Sequence, residues 1–68
     1  MVKTLKVGYG KDAKKVTIES TDKKLYGTLI WIDQNTKEYY RVERSRHIGI
    51  TIEAAAKYNI TKKEFDEI

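Results

Sequence analysis

The stretch "TIEAAAKYNITKKEFDEI", residues 51–68, decides which fold the chain is expected to adopt. Thr51 is a good helix N-cap, and the segment "IEAAAKY" that follows it has strong helix propensity. Asn59 is suited to end this first helix. Thr61 and Glu64 then form the T-x-x-E capping box that opens a second helix. The stretch therefore predicts two consecutive C-terminal helices.

The N-terminal part of the chain is predicted to form a β-hairpin. "TLKVGY", residues 4–9, alternates so that Leu5, Val7 and Tyr9 share one side. "KVTIES", residues 15–20, has the same period of two, and the polar segment "GKDAKK" supplies the turn before it.

A second hairpin is predicted in the middle of the chain. "LYGTLIWID", residues 25–33, is apolar on both faces, as expected for a central strand, and "KEYYRVERSR", residues 37–46, returns as its partner. We therefore predict an α+β fold, in which a small three- to four-stranded antiparallel sheet carries C-terminal helices packed on one face. The chain is expected to be one domain, residues 1–68, with the sheet in residues 2–50 and the helical tail in residues 51–68.

The loop of this second hairpin determines which side chains share a face. A loop of residues 34–36 sets Trp31 opposite Tyr39 and leaves both of them, with Arg41, on the open face of the sheet. A two- or four-residue loop shifts the register by one and groups Trp31 with Tyr40 instead.

Charge favours the three-residue loop. In that register Asp33 faces Lys37, whereas a four-residue loop sets Asp33 against Glu38, which carries the same charge. We therefore predict an exposed Trp31.

Size and composition limit the kinds of protein this chain can be. A chain of 68 residues buries only about 60% of its unfolded surface, and without cysteine it has no disulfide or thiolate-bound metal to add stability. A homodimer is one way to cover the remaining apolar surface. The longest aliphatic and aromatic run is "LIWI", residues 29–32, far short of the roughly 20 residues that span a membrane. We expect a cytoplasmic protein without a membrane partner.

The distribution of charge points to a polyanionic partner. The net charge is +4, from 14 basic and 10 acidic residues. Residues 1–46 hold 11 basic and 6 acidic residues, which gives +5, whereas residues 47–68 hold 3 basic and 4 acidic residues, which gives −1. A polyanion is therefore attracted mainly to the first two-thirds of the chain.

Aromatic and guanidinium groups concentrate around the second hairpin. All the arginines of the chain fall within residues 41–46. Arginine binds phosphate or guanine through two parallel hydrogen bonds and stacks on flat rings, and aromatic side chains on a sheet can stack on nucleobases. The predicted contacts in this hairpin are Trp31, Tyr39, Arg41, Arg44 and Arg46.

The C-terminal stretch also resembles a known DNA-binding motif. "ITIEAAAKYNITKKEFDEI", residues 50–68, is similar to the opening of the helix-turn-helix in excisionases and MerR-type regulators, with its threonine cap, its "EAA" helix and its second cap. The resemblance implies a DNA-binding protein, of the kind that phages and mobile elements carry. In that arrangement Lys62 and Lys63 lie where phosphates would be contacted.

Two other segments resemble different folds. "IGITIEAAAKY", residues 48–58, is distantly similar to the strand-to-helix junction of integrase arm-type and AP2-like domains. "VTIESTDKKLYGTLIWID", residues 16–33, resembles the first half of an Sm-like strand pattern, which implies an SH3- or Sm-like RNA-binding barrel.

Catalysis finds little support in the sequence. His47 is the only histidine, and Ser45 near it has no third group to complete a triad. "GYGKDA", residues 8–13, matches a Gly-x-Gly string, but a strand and not a helix follows it, so we predict a turn. We expect no enzymatic activity, no cofactor and no bound metal.

These observations lead to two hypotheses. The first is a small, non-enzymatic nucleic-acid-binding protein with an accessory or regulatory role, which binds DNA in preference to RNA. The second is a protein-interaction module or inhibitor that uses the same aromatic and basic face, since tyrosine, tryptophan and arginine are common interface anchors.

Overall fold

A computed structural model describes residues 1–8 and 10–68 of the protein. Tyr9, predicted to share a side with Leu5 and Val7, lies outside the described residues. A 3-10 turn spans Gly10–Asp12. The other elements are the strands β1 (Val2–Val7), β2 (Lys14–Leu25), β3 (Thr28–Asp33), β4 (Tyr39–His47) and β5 (Ile50–Lys57), followed by the helix α1 (Lys62–Glu67).

The strands form a five-stranded antiparallel sheet in the order β1-β2-β3-β4-β5. Each strand pairs with its neighbours in the chain, so the sheet is a meander. The sheet curls until its first and last strands meet through their side chains, and Lys3 on β1 forms an ion pair with Glu53 on β5 at 2.8 Å. The result is a small barrel-like sheet with α1 on its outside.

The first predicted C-terminal helix is wrong, because residues 50–57 form β5. The three alanines of this segment lie opposite residues of β4, and Ala55, opposite Val42, is buried in the core. The small side chain of Ala55 lets β5 pack closely over the interior of the curled sheet, while Ala54 and Ala56 lie on the outer face opposite Glu43 and Arg41. Tertiary packing has here overridden helix propensity. The predicted α+β fold, a smaller sheet with helices packed on one face, is therefore corrected to a five-stranded antiparallel sheet with one short helix.

The second predicted helix is present as α1. The Thr61 hydroxyl accepts a hydrogen bond from the Glu64 backbone N–H at 3.1 Å, and the Glu64 carboxylate accepts one from the Thr61 backbone N–H at 3.3 Å. This is the predicted capping box. Phe65 then stacks on Tyr39 with ring centroids 4.8 Å apart, which fixes the helix to the outer face of the sheet.

The predicted register of the central hairpin is also wrong. Trp31 lies opposite Tyr40, and the Asp33 backbone N–H donates to the Glu38 carbonyl, which leaves a four-residue loop. Asp33 therefore lies across from Glu38, which carries the same charge, but the Asp33 carboxylate binds within the loop. It is buried and accepts hydrogen bonds from the backbone N–H groups of Asn35 and Thr36 at 2.7 and 3.0 Å. This Asx-type turn sets the register, and it is a local interaction that the comparison of cross-strand charges left out.

Two tight turns are not predicted from the sequence, and one of them lies within "LYGTLIWID", which is predicted to be a single strand. Leu25 lies opposite Thr28, and His47 lies opposite Ile50, so each hairpin closes with a two-residue loop. The loops are Tyr26–Gly27, with φ of 52° and 78°, and Ile48–Gly49, with φ of 50° and 74°. Positive φ at both central residues defines a type I′ turn, whose twist matches that of the flanking strands.

The core lies inside the curled sheet. Ile18, Trp31, Tyr40 and Ala55 form its buried centre, and the partly buried residues packed around them are Leu5, Val7, Val16, Leu29 and Val42. Ile30 alternates with Trp31 and is fully buried on the other face of β3. On that outer face Ile32 lies opposite Tyr39, on which Phe65 of α1 stacks.

In the part of the chain that the structure describes, no helix has the length and apolar character needed to cross a membrane.

Candidate functional site

The structure separates the residues that the sequence grouped into one site. Trp31 is only 5% exposed inside the curled sheet, and Tyr39 is buried beneath Phe65. Neither ring presents a free face for stacking on a nucleobase. The prediction that these two aromatic residues lie on the open face is wrong, and it fails because the loop has four residues and not three.

Arg41 lies on the outer face of β4 and is largely occupied by protein groups. Its Nη2 and Nε donate to one oxygen of Glu43 at 2.7 and 3.1 Å. Its guanidinium also lies 5.3 Å from the ring centroid of Tyr58. A ligand phosphate would have to compete with both contacts.

Arg44 belongs to a three-residue charge network at the mouth of the barrel. Arg44 Nε donates to Glu53 at 3.0 Å, and Lys3 Nζ donates to both oxygens of the same carboxylate at 2.8 and 3.1 Å. The hydrogen bond from Lys3, followed by that from Arg44, lowers the pKa of Glu53 against the opposing effect of desolvation. Two cations therefore share one carboxylate, which leaves a net positive charge on the network.

Arg46 lies beyond this network, near the end of the β4–β5 hairpin. It is exposed and sits opposite Thr51. No ion pair found among residues 1–8 and 10–68 involves Arg46. Of the predicted arginines, this one has the guanidinium least occupied by the protein.

Lys62 and Lys63 lie on α1, far from Arg44 and Arg46, whereas Arg41 contacts Tyr58, which lines a depression together with Lys62. Lys62 donates to Asp66 at 3.1 Å. The helix is docked at Tyr39, at the start of β4, whereas His47 ends that strand. Eight residue steps along a strand correspond to about 26 Å, so these lysines and the hairpin tip are at opposite ends of the molecule.

The charges at the start of β4 are paired. Glu38 forms an ion pair with Lys57, and the hydrogen bond between them lowers the pKa of Glu38 and raises the pKa of Lys57. Burial raises the pKa of the nearby Tyr40 hydroxyl, with a smaller contribution from Glu38. The Glu38–Lys57 ion pair therefore stabilises the sheet beside α1.

Sequence reasoning missed a pair of lysines on the first hairpin. Lys6 on β1 lies directly opposite Lys15 on β2, on the outer face. Lys14, the first residue of β2, lies next to Lys15 and opposite Val7. Among the ion pairs of the described residues, none involves these three lysines. The period-two pattern could have placed Lys6 on the outer face, because it alternates with the apolar Leu5 and Val7, but it does not show that Lys15 lies opposite.

One surface depression joins the ends of the first and last hairpins. Lys6 and Lys15 line it from one side, and Ile52 and Glu53 of β5 line it from the other. Arg46 follows Ser45, the partner of Ile52, and so lies on the opposite face of the β4–β5 hairpin, at the same end of the molecule as the depression. We call the surface formed by Lys6, Lys14, Lys15 and Arg46 the cationic end of the molecule.

Little negative charge opposes the cationic end. The carboxylate of Glu53 is already held by Lys3 and Arg44. In the turn between β1 and β2, Lys11 and Asp12 offset one another in net charge. The cationic end is therefore suited to an anionic ligand.

Metal binding has no evident site in the described part of the chain, where no three His, Cys, Asp or Glu side chains are grouped to hold an ion. Comparison of the chain with protein-family models, curated proteins and solved structures gave no match.

Proposed function

We propose that the protein is a small, non-enzymatic, cytoplasmic nucleic-acid-binding protein that holds DNA at its cationic end. The observation that carries the proposal is the direct cross-strand pair of Lys6 and Lys15. Like charges opposite one another on a sheet destabilise it, whereas opposite charges stabilise it. An anion between the two ammonium groups removes that repulsion.

Phosphate is the anion that fits this surface best. Lysine binds phosphate as a point charge, and Arg46 on the β4–β5 hairpin can add a bidentate contact. The lysine pair and Ile52 line one depression, and Arg46 lies on the other face of the hairpin that carries Ile52, so a duplex that covers this end of the molecule can be contacted from both hairpins. Such contacts give affinity and fix the position of the backbone without reading sequence.

The shape of the last hairpin favours DNA over RNA. The end of the β4–β5 hairpin is a two-stranded ribbon that extends past the core and carries Arg44 and Arg46. Strands enter either groove of B-form DNA, whereas A-form RNA has a major groove too narrow for side chains to read and a minor groove that is wide and shallow. An accessory or regulatory role in phages or mobile elements is part of the proposal, and it rests only on the sequence resemblance of residues 50–68.

Titration of a short DNA duplex at several salt concentrations tests the proposal. We expect the logarithm of the affinity to fall linearly with the logarithm of salt concentration. The double variant Lys6→Ala with Lys15→Ala should bind roughly tenfold more weakly near 0.1 M salt, and its slope should be reduced by about two, because two phosphate contacts are lost.

The matched control is Lys62→Ala with Lys63→Ala, which removes the same net charge from α1. We expect this control to keep the affinity and the slope close to those of the unmodified protein. Equal losses in the two double variants would mean that only net charge matters, and a duplex that does not bind at any salt concentration would refute the proposal.

A specific observation favours a second candidate, a protein-interaction module. Tyr26 is 96% exposed at the β2–β3 turn, beside a depression that Leu25, Ile60 and Ile68 also line. An exposed aromatic residue over a partly apolar depression is a common anchor for a protein partner. Binding of a protein partner that is insensitive to salt and lost in Tyr26→Ala would support this candidate. An RNA-binding barrel would be favoured instead if single-stranded RNA bound more tightly than the duplex.

A further inference from the structure

The tip of the β4–β5 hairpin is apolar, although it projects into solvent. Ile48 is 86% exposed, Ile50 is 64% exposed and Ile52 is 50% exposed. Ile50 and Ile52 lie on one face of the ribbon, and Ile48 occupies the turn itself. Arg46 and His47 immediately precede this turn.

Folding gives no reason for isoleucine at position 48. A type I′ turn requires positive φ at both central residues, which is why asparagine or glycine usually occupies the first of them. Ile48 has φ of 50°, a region in which a β-branched side chain is a genuine outlier. Its exposure means that the side chain gains no burial in exchange for this strain. Strained residues that the fold does not need are found at functional sites.

We propose that Ile48 is a wedge that inserts between adjacent base pairs from the minor groove of DNA and kinks the duplex. This inference rests on the proposed function and identifies how the same surface engages its ligand. The apolar tip is followed along the ribbon by Arg46, and the lysine pair lies beyond the depression that Ile52 lines. The apolar tip can therefore meet the stacked bases while the cationic groups farther from the tip meet the phosphates on either side.

Charge argues for DNA as the occupant and against a second copy of the chain. Two copies joined tip to tip would bring Arg46 and the nearby lysines of each copy together without acidic partners. A duplex supplies both the apolar interior for Ile48 and the negative charge for the cationic end.

The decisive variant is Ile48→Asn, because asparagine suits the turn and cannot act as an apolar wedge. We expect the midpoint of thermal unfolding to rise, since the strain at positive φ is relieved. We expect the affinity for a short duplex to fall by roughly tenfold, because an isoleucine side chain no longer becomes buried on binding. The bend of the duplex, measured by energy transfer between dyes at its two ends, should be lost.

The β2–β3 hairpin provides a matched control. Tyr26→Asn makes the same change at the same position of the other type I′ turn, away from the cationic end. It should raise the midpoint of unfolding in the same way and leave both affinity and bend unchanged. Ile48→Leu, which keeps an apolar side chain at the tip, should retain the bend.

The outcomes separate the wedge from the proposed function. If the unmodified protein binds the duplex with a clear salt dependence, and Ile48→Asn leaves affinity and bend unchanged, the wedge is refuted while DNA binding stands. If the unmodified protein binds no duplex, both the wedge and the proposed DNA-binding function are refuted. If it binds vesicles of anionic phospholipid and Ile48→Asn abolishes that binding but not duplex binding, the tip is a membrane anchor and the wedge is refuted.

Discussion

Glu53 is the residue at which three strands of the sheet are joined by charge. It lies on β5, and its carboxylate accepts hydrogen bonds from Lys3 on β1 and Arg44 on β4. The contact with Lys3 bridges the two edge strands, which meet through side chains. The same carboxylate orients Arg44 at the base of the projecting hairpin.

The contribution of Glu53 to stability should depend on pH. Lys3 and Arg44 lower its pKa in the folded protein below the ordinary value of 4.5. A carboxylate whose pKa is lowered by folding stabilises the protein above its unfolded pKa, and this stabilisation is lost as pH falls through the folded pKa. Glu53→Gln should therefore be less stable than the unmodified protein at neutral pH, and the difference should narrow on acidification below the ordinary pKa. Denaturant unfolding of both proteins, from neutral pH to below the ordinary pKa of a glutamate, measures this difference in stability.

Glu19→Gln is the control for this prediction. Glu19 is an exposed carboxylate on β2, and no ion pair within the described residues involves it. Its removal should change the free energy of unfolding little at neutral pH. A Glu53→Gln protein as stable as Glu19→Gln at neutral pH would show that the network contributes nothing to stability.

At the scale of elements, α1 is attached mainly through one aromatic side chain. Phe65 stacks on Tyr39, and Lys23 lies 4.6 Å from the Phe65 ring centroid while its Nζ donates to the Phe65 carbonyl at 2.9 Å. A helix this short is not stable alone in water. Its stability therefore depends on docking and on the Thr61 capping box.

Phe65→Ala should undock α1 without unfolding the sheet. We expect a loss of about 2 kcal/mol in the free energy of unfolding, from the buried ring area and the stacked pair. The core inside the barrel does not include Phe65, so the near-ultraviolet signal of Trp31 should be retained. Denaturant unfolding and circular dichroism together measure both effects. Lys63→Ala, an exposed change on the same helix, should leave stability unchanged, and equal stability of the two variants would contradict the docking role of Phe65.

The elements that could be predicted from the sequence are those whose structure is decided locally. The capping box of α1 depends on Thr61 and Glu64 alone, and the alternation in β1 and β2 reports directly on which side is buried. The structure of residues 50–57 depends on β4, which pairs with them along their whole length. Helix propensity in "IEAAAKY" could not reveal that partner.

The candidate site was predicted only in part for a related reason. The sequence located the arginines on one strand, but which of them are free depends on the cross-strand neighbours Glu43 and Glu53. Lys6 and Lys15 come together only once the register of the first hairpin is known. The two tight turns were missed because tyrosine and isoleucine are rare at the first position of a type I′ turn.

At the scale of the whole molecule, the two ends differ in chemistry. The protein is 39 Å long, and the cationic end lies at the free ends of the β1–β2 and β4–β5 hairpins. α1, with its Lys62–Asp66 ion pair, lies toward the start of β4. One end can therefore hold a polyanion while the other, with the exposed Tyr26 beside the end of α1, remains open to a second partner.

This polarity predicts which lysines a bound duplex protects from chemical acetylation. Lys6, Lys14 and Lys15 should react several-fold more slowly when DNA is bound, because a phosphate contact removes the amine from the reagent and favours its charged form. Lys62 and Lys63 on α1 should react at the same rate with and without DNA, and they serve as the internal control within one sample. Mass spectrometry of the digested protein measures each site. Protection of Lys62 and Lys63 without protection of the first hairpin would place DNA at the end of the molecule that carries α1. It would exclude the cationic end as the binding surface.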